Sequence, residues 1–117
     1  MKTSRLAHSR TNKDVSQFVE HFSKIGIPVE VSKAVFQYFI DLPWMRRLPV
    51  DPKDRLLEVY RVSGEELMDA YENILAVIGR RLPHDRRADA LLVENVEELV
   101  NFIADLPMVD HAQQGNR

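Results

Sequence analysis

The side chains that most often do chemistry are sparse in this chain and lie far apart. The 117 residues contain no cysteine and four histidines, which are His8, His21, His84 and His111. No two of these histidines have the i, i+4 spacing that places a pair of metal ligands on one helical face. The doublet His84-Asp85 has no further ligands near it, so we interpret it as part of an exposed loop. We therefore predict no metal site and no catalytic residues, and we expect that the chain is not an enzyme.

The most concentrated charge is a group of carboxylates on one short segment. The group consists of Glu65, Glu66, Asp69 and Glu72. The positive end of a helix dipole favours carboxylates in the first turn, which accounts for Glu65 and Glu66. Asp69 and Glu72 continue the acidic surface beyond that turn, where it could meet a partner with basic side chains. We predict that these carboxylates form a partner-binding surface.

Basic residues form two further groups. Residues 1–13 carry four cations and no acid, whereas the whole chain has a net charge of −2. A second basic group surrounds Pro83 and consists of Arg80, Arg81, Arg86 and Arg87. Such a cluster could bind nucleic acid, but no aromatic side chains stand among these arginines to stack on bases. The alternative interpretation is that they are solvated, with Arg80 and Arg81 placed against the negative end of a preceding helix.

Helical periodicity is the main structural signal. Apolar residues recur at i, i+3, i+4 and i+7 in four segments, at 14–25, about 29–41, 63–79 and 95–106. No segment alternates with the two-residue period of a strand over more than a few residues. The sequence therefore predicts an all-α fold, a bundle of four principal helices.

The ends of these helices also have sequence signals. Ser63 with Glu66, and Asn95 with Glu98, have the spacing of a capping box, in which the first side chain accepts the amide three residues on. Gly26 follows the first helix, at the position where a left-handed residue is favoured. Each of these signals predicts a helix boundary to within a few residues.

The segment 43–61 is predicted to be a long structured loop. Its three prolines, at 43, 49 and 52, exclude a regular helix at its start. Its apolar side chains should pack on the core, and Trp44 is expected to cover the edge of that core. We predict a basic flexible tail at 1–13, a single helical domain at 14–107 and a flexible C-terminal tail at 108–117.

No segment has the length and apolarity of a membrane span. The longest unbroken apolar run is 74–78, whereas a bilayer requires about 20 such residues. No apolar stretch of the kind found in secretory signals follows Met1. We therefore expect a cytoplasmic protein without a membrane partner.

From residue 29 onward the order of elements is a helix, a long loop, an acidic helix, a short polar segment and a final helix. The final helix reads Asn-Val-Glu-Glu-Leu-Val-Asn-Phe-Ile at 95–103, and the acidic helix ends in Leu82-Pro83. In these features the chain resembles the acyl carrier proteins, over about 29–107, with an extra N-terminal helix at 14–25. The resemblance implies the carrier-protein fold and an acidic helix that recruits partner proteins.

Carrier proteins attach 4'-phosphopantetheine to the serine of an Asp-Ser-Leu motif at the start of the acidic helix. Counted back from Pro83 without gaps, that serine position falls on Gly64, and the aspartate position falls on Ser63. A shift of one residue would place Ser63 at the attachment position, with Val62 before it. Ser63 is therefore either the cofactor-binding residue or only a helix cap, and the ungapped alignment favours no cofactor.

Three functions follow from these patterns. The first is a non-catalytic, acyl-carrier-like helical domain that binds a protein partner with a basic surface through the acidic helix. The second is a true acyl or peptidyl carrier modified on Ser63. The third is a small nucleic-acid-binding regulator, in which 14–25 and 29–41 would form a helix-turn-helix. Against the third, 29–41 has Lys33 as its only cation.

Overall fold

The computed structural model describes residues 15–42 and 50–109, and helices dominate both ranges. Helix α1 covers 15–23. It is followed by α2 (Val29–Ile40), α3 (Leu56–Tyr60), α4 (Glu65–Ile78), a 3-10 turn (His84–Arg86), α5 (Arg87–Ala90) and α6 (Val96–Ala104). The only β pairing in these ranges consists of two isolated bridges, Arg55 with Asn95 and Arg80 with Met108. The predicted all-α fold is therefore confirmed.

The core lies where α2 packs against α4 and α6. Each of the three helices contributes one apolar stripe at helical spacing. The buried side chains are Val31, Val35, Phe36 and Phe39 of α2, Leu67, Tyr71, Ile74 and Leu75 of α4, and Val96, Leu99, Val100 and Ile103 of α6. The periodicity of the sequence thus identifies correctly which face of each helix is inward.

Helix α1 packs on α2 through aromatic side chains. The ring of Phe18 lies 5.0 Å from that of Phe22 and 5.3 Å from that of Phe36, both in edge-to-face contact. Gly26 ends the helical turn with a φ of 88°, as predicted, and Ile27 N–H donates to the Phe22 carbonyl at 3.0 Å. Ile25, expected on the buried stripe, is exposed, because the helix ends at residue 23 and the chain has already turned.

The loop before α3 is joined by hydrogen bonds to the start of α6. Leu56 N–H donates to the Glu94 carbonyl at 2.9 Å, and Val96 N–H donates to the Asp54 carbonyl at 3.0 Å. The hydroxyl of the buried Tyr60 donates to Asp54 Oδ2 at 2.6 Å. These contacts hold the residues just before α3 against the start of α6. Residues 43–49, including the predicted edge position of Trp44, lie outside the described residues.

Arg80 makes a contact with another helix that the sequence did not predict. Its Nη1 donates to the carbonyls of Ala104 and Leu106, at 3.2 and 2.8 Å, and so caps the C-terminal end of α6. Gly79, with a φ of 72°, ends α4 in its place, because a left-handed glycine lets the backbone satisfy the last carbonyls. In the tertiary structure the end of α6 lies close enough to Arg80 to accept hydrogen bonds from its guanidinium.

Backbone hydrogen bonds extend to residue 109, beyond the predicted end of the domain at residue 107. Val109 N–H donates to the Gly79 carbonyl at 2.8 Å, and Arg81 N–H donates to the Pro107 carbonyl at 3.0 Å. Residues 108 and 109, assigned from sequence to the flexible tail, are therefore held against the end of α4. The remainder of that tail and the predicted basic tail at 1–13 lie outside the described residues.

The role of Arg80 can be measured by truncating its guanidinium. Arg80→Met keeps an apolar stem but removes two hydrogen bonds to α6. Arg80 Nε is buried without a hydrogen-bond partner among the described residues. The cost of burying it offsets part of the stability that the two hydrogen bonds contribute. We expect the free energy of unfolding in urea to fall by about 1–2 kcal/mol. Arg81→Met, at an exposed neighbour, should change it little, and equal losses in the two variants would contradict the capping role.

Candidate functional site

The start of α4 differs from the sequence prediction. Gly64, with a φ of 52° and a ψ of −116°, is the N-cap, and no side chain caps the helix. The amide of Glu66 donates to the backbone carbonyl of Ser63 at 3.0 Å instead of to the hydroxyl. The predicted Ser63–Glu66 capping box is therefore wrong, because the positive φ of Gly64 turns the Ser63 carbonyl toward that amide.

Ser63 consequently has an exposed side chain that the helix does not use. It lies one residue before the N-cap and lines a cleft of about 190 Å³. Apolar walls of this cleft come from α3, α4 and the segment after α5, through Leu57, Leu67 and Leu91. Leu57 is 58% exposed and Leu91 is 47% exposed, and the cleft is also lined by the charged side chains of Arg55, Glu58 and Glu94.

The predicted partner-binding carboxylates all lie on the outer side of α4. Glu65, Glu66, Asp69 and Glu72 are exposed, and none forms an ion pair within the described ranges. Glu65, Asp69 and Glu72 follow one another at i, i+4 and i+7, so they share one stripe. The opposite stripe of the same helix is buried. The structure thus places Glu65, Asp69 and Glu72 on one stripe, with the exposed Glu66 beside it, and we call these four residues the acidic face of α4.

Some carboxylates elsewhere on the surface have a cation nearby. Glu58 and Glu94 lie 3.1 and 3.8 Å from the guanidinium of Arg55. Asp89 and Asp105 each lie 3.6 Å from that of Arg86. Each arginine offsets one of its two carboxylates, whereas no cation among the described residues offsets the acidic face of α4.

The arginine group around Pro83 does not present a common surface for phosphates. Arg80 is bound to the α6 carbonyls, and the Arg86 guanidinium lies 4.8 Å from the ring centre of Phe102, between Asp89 and Asp105. Only Arg81 and Arg87 of that group are exposed. Two of the four arginines are thus used within the fold, which weakens the nucleic-acid hypothesis.

The structure also argues against the helix-turn-helix interpretation, because α2 does not have the surface of a recognition helix. A recognition helix must present polar and basic side chains to the groove of DNA. Helix α2 instead has five buried residues and packs between α4 and α6. Its exposed side carries Lys33 as a single cation.

The two histidines within the described residues, His21 and His84, form no cluster. His21 Nε2 lies 3.9 Å from Glu97 Oε2, and His84 is exposed in the 3-10 turn. His8 and His111 lie outside the described residues. Within the described part of the chain no group of histidine, aspartate or glutamate side chains is arranged to hold a metal ion. In that same part, no helix has the length and apolarity needed to cross a bilayer.

Two buried tyrosines fix the elements around α4. The Tyr71 hydroxyl donates to the Ala90 carbonyl at 2.7 Å and so ties α5 to α4. Burial raises the pKa of the Tyr71 hydroxyl well above its ordinary value, and burial together with the hydrogen bond to Asp54 does the same for the pKa of Tyr60. Both hydroxyls therefore stay protonated and act as hydrogen-bond donors of the scaffold.

A second feature of α4 was missed from the sequence. Val77 is 76% exposed and lines a groove of about 230 Å³ between α2 and α4. The groove is also lined by Tyr38, Asp41 and Ile74. A signal was present, because Val77 falls inside the apolar run 74–78 but between the positions of the buried stripe.

Comparison with known proteins assigns the chain to no family, since no family model, curated protein or solved structure matches it.

The two predicted capping boxes should respond differently to mutation. Asn95 Oδ1 accepts the Glu98 amide at 2.8 Å, as predicted, and the Glu98 carboxylate accepts the Glu94 amide at 2.7 Å. Asn95→Ala should lower the free energy of unfolding by about 0.5–2 kcal/mol. Ser63→Ala, which removes no cap, should change it by less than about 0.5 kcal/mol. Urea denaturation compares the two, and an equal loss would show that the Ser63 hydroxyl stabilises α4 after all.

Proposed function

We propose that this chain is a non-catalytic, acyl-carrier-like helical domain that acts by binding a protein with a basic surface. The observation that carries the proposal is the acidic face of α4, on which Glu65, Glu66, Asp69 and Glu72 are exposed and have no ion-pair partner among the described residues. Complementary charge accelerates association and orients partners, so a face of this kind suits recruitment.

The arrangement of elements supports the carrier-like part of the proposal. A short helix, α3, closes the loop before the acidic helix, and a 3-10 turn with α5 separates that helix from α6. This is the order of elements on which the resemblance to acyl carrier proteins rests. The N-cap of α4 is a glycine, so the position aligned with the attachment serine has no hydroxyl to modify. A domain with the acidic face but without that hydroxyl would serve contacts rather than acyl transport.

Charge reversal on α4 tests the recruitment role. In the variant Glu65→Lys, Asp69→Lys, Glu72→Lys, the acidic face becomes basic, so proteins bound through it should be lost. The measurement is affinity capture of partners by the full chain, with captured proteins quantified by mass spectrometry. We expect these partners to fall to background, and binding by the unaltered chain to weaken as salt increases.

The matched control reverses the same number of charges elsewhere. Glu20, Glu30 and Asp85 are exposed carboxylates outside α4 that form no ion pair in the described ranges. The variant Glu20→Lys, Glu30→Lys, Asp85→Lys should keep the captured proteins. If both triple variants lose them equally, net charge and not the α4 face controls binding.

A second function, a true carrier modified on Ser63, is favoured by one observation. The Ser63 hydroxyl is exposed, is not used as a cap and lines the cleft at the start of α4. In such a modification, the Ser63 oxygen bonds to the phosphorus that carries the pantetheine arm in coenzyme A. The phosphoanhydride bond breaks, adenosine 3',5'-bisphosphate leaves, and the hydroxyl proton goes to solvent.

Intact mass distinguishes the two functions. The chain is incubated with coenzyme A, magnesium and a promiscuous phosphopantetheinyl transferase, and its mass is compared before and after. The first function predicts an unchanged mass. A mass increase of one phosphopantetheinyl group that disappears in Ser63→Ala would replace it with the carrier function. Asn95→Ala serves as a control for folding, because it alters a cap without touching the cleft.

A further inference from the structure

The groove between α2 and α4 has the size and lining of a receptor for one apolar side chain. Its volume of about 230 Å³ lies below the roughly 300–1,000 Å³ of small-molecule pockets. Ala34, Ile74 and Val77 supply its apolar surface, and Tyr38 lies beside them. Val77 is the most exposed large apolar side chain in the described part of the chain.

Negative charge surrounds this apolar surface. Asp41, the residue at the C-cap of α2, lines the groove, and among the described residues its two carboxylate oxygens accept only the amide of Gln37, at 3.0 Å. The last turn of α2 contains no basic residue, so within the described part of the chain no cation compensates the negative end of the helix dipole or the Asp41 carboxylate. Asp69 of the acidic face lies one helical turn before the groove-lining Asn73, whose side-chain amide donates to the Asp69 carbonyl at 2.8 Å. Burial and the charge of Asp69 both raise the pKa of the Tyr38 hydroxyl.

A basic side chain of a partner protein would be attracted to this end of the groove. It would compensate both the Asp41 carboxylate and the end of α2, a favourable contact that the described part of the chain does not provide for itself. Asp69 connects the acidic face of α4 to the groove, because it lies one helical turn from the groove-lining Asn73. A partner that covers both surfaces would therefore carry apolar and basic side chains next to each other.

We infer that the α2–α4 groove is the anchor point of the partner: it receives an apolar side chain of a basic amphipathic segment, whose lysine or arginine side chains pair with Asp41 and Asp69. The inference rests on the proposed function and adds α2 to the binding surface. A second copy of this chain is a poorer occupant, because its own acidic face would be brought against Asp41 and Asp69. Because the groove receives the apolar side chain, it determines which face of the partner segment contacts α4.

The test uses a synthetic amphipathic helix of leucine and lysine as the probe, titrated into the ¹⁵N-labelled full chain. The amide signals of Tyr38, Asp41, Asn73 and Val77 should shift most. The same peptide with glutamate in place of lysine should not bind. Val77→Ser should weaken binding at least about fivefold, as expected for the loss of an anchor side chain. Asp41→Asn should weaken binding and reduce its dependence on salt.

Leu92→Ser is the matched control, since Leu92 is 72% exposed and does not line the groove. It should leave the affinity unchanged, and equal effects of Leu92→Ser and Val77→Ser would overturn the inference. If Glu65→Lys and Glu72→Lys abolish binding while Val77→Ser and Asp41→Asn do not, the groove is wrong but the proposed function stands. If none of these variants changes binding, both are wrong.

Two further results would assign the groove to another occupant and so overturn the inference. A change in the sedimentation coefficient of the chain alone on Val77→Ser would assign it to a second copy. The chain has no cysteine, so a nitroxide can be placed at Ser4→Cys without a competing site. Broadening of the Val77 and Tyr38 signals by this label without peptide would assign the groove to the chain's own basic N-terminal segment.

Discussion

The burial of the inner stripe of α4 against the core is the interaction on which the rest of the structure depends. Leu67, Tyr71, Ile74 and Leu75 are each at most 5% exposed, and burial of such side chains contributes about 1.5–3 kcal/mol apiece. Like-charge pairs one helical turn apart on the outer stripe cost only about 0.2–0.5 kcal/mol each. Apolar burial exceeds this repulsion several-fold, so α4 can keep an acidic face that its own fold leaves unneutralised.

The ends of α4 are satisfied by backbone geometry, and this leaves two side chains for other roles. Gly64 and Gly79 both have positive φ and take the N-cap and C-cap positions. Because Gly64 directs a carbonyl to the first amides, the hydroxyl of Ser63 stays exposed beside a cleft. Because Gly79 closes the last turn, Arg80 is able to reach the end of α6. Because the two glycines complete the ends of α4, the Ser63 hydroxyl is left exposed and Arg80 binds the end of α6.

The proposed binding surface consists of the acidic face of α4 and the groove between α2 and α4. The acidic face belongs to α4 alone, and it follows from residues that share a helical stripe. The groove exists only where α2 and α4 pack against each other, and it is lined by Val77 of α4 and by Asp41 at the end of α2. A partner that used both would recognise charge along α4 and shape between the helices, which makes its orientation specific.

The sequence alone determined the helical fold, the inward faces, the left-handed position of Gly26, the cap at Asn95 and the placement of the four α4 carboxylates on one surface. These features depend on the 3.6-residue period and on hydrogen bonds between neighbours in the chain. Only the tertiary structure decided that Arg80 binds α6, that Ser63 is not a cap and that Val77 borders a groove. The first and the last of these depend on which distant segment lies within reach of a side chain, and the second depends on the positive φ of Gly64. Local periodicity encodes none of them.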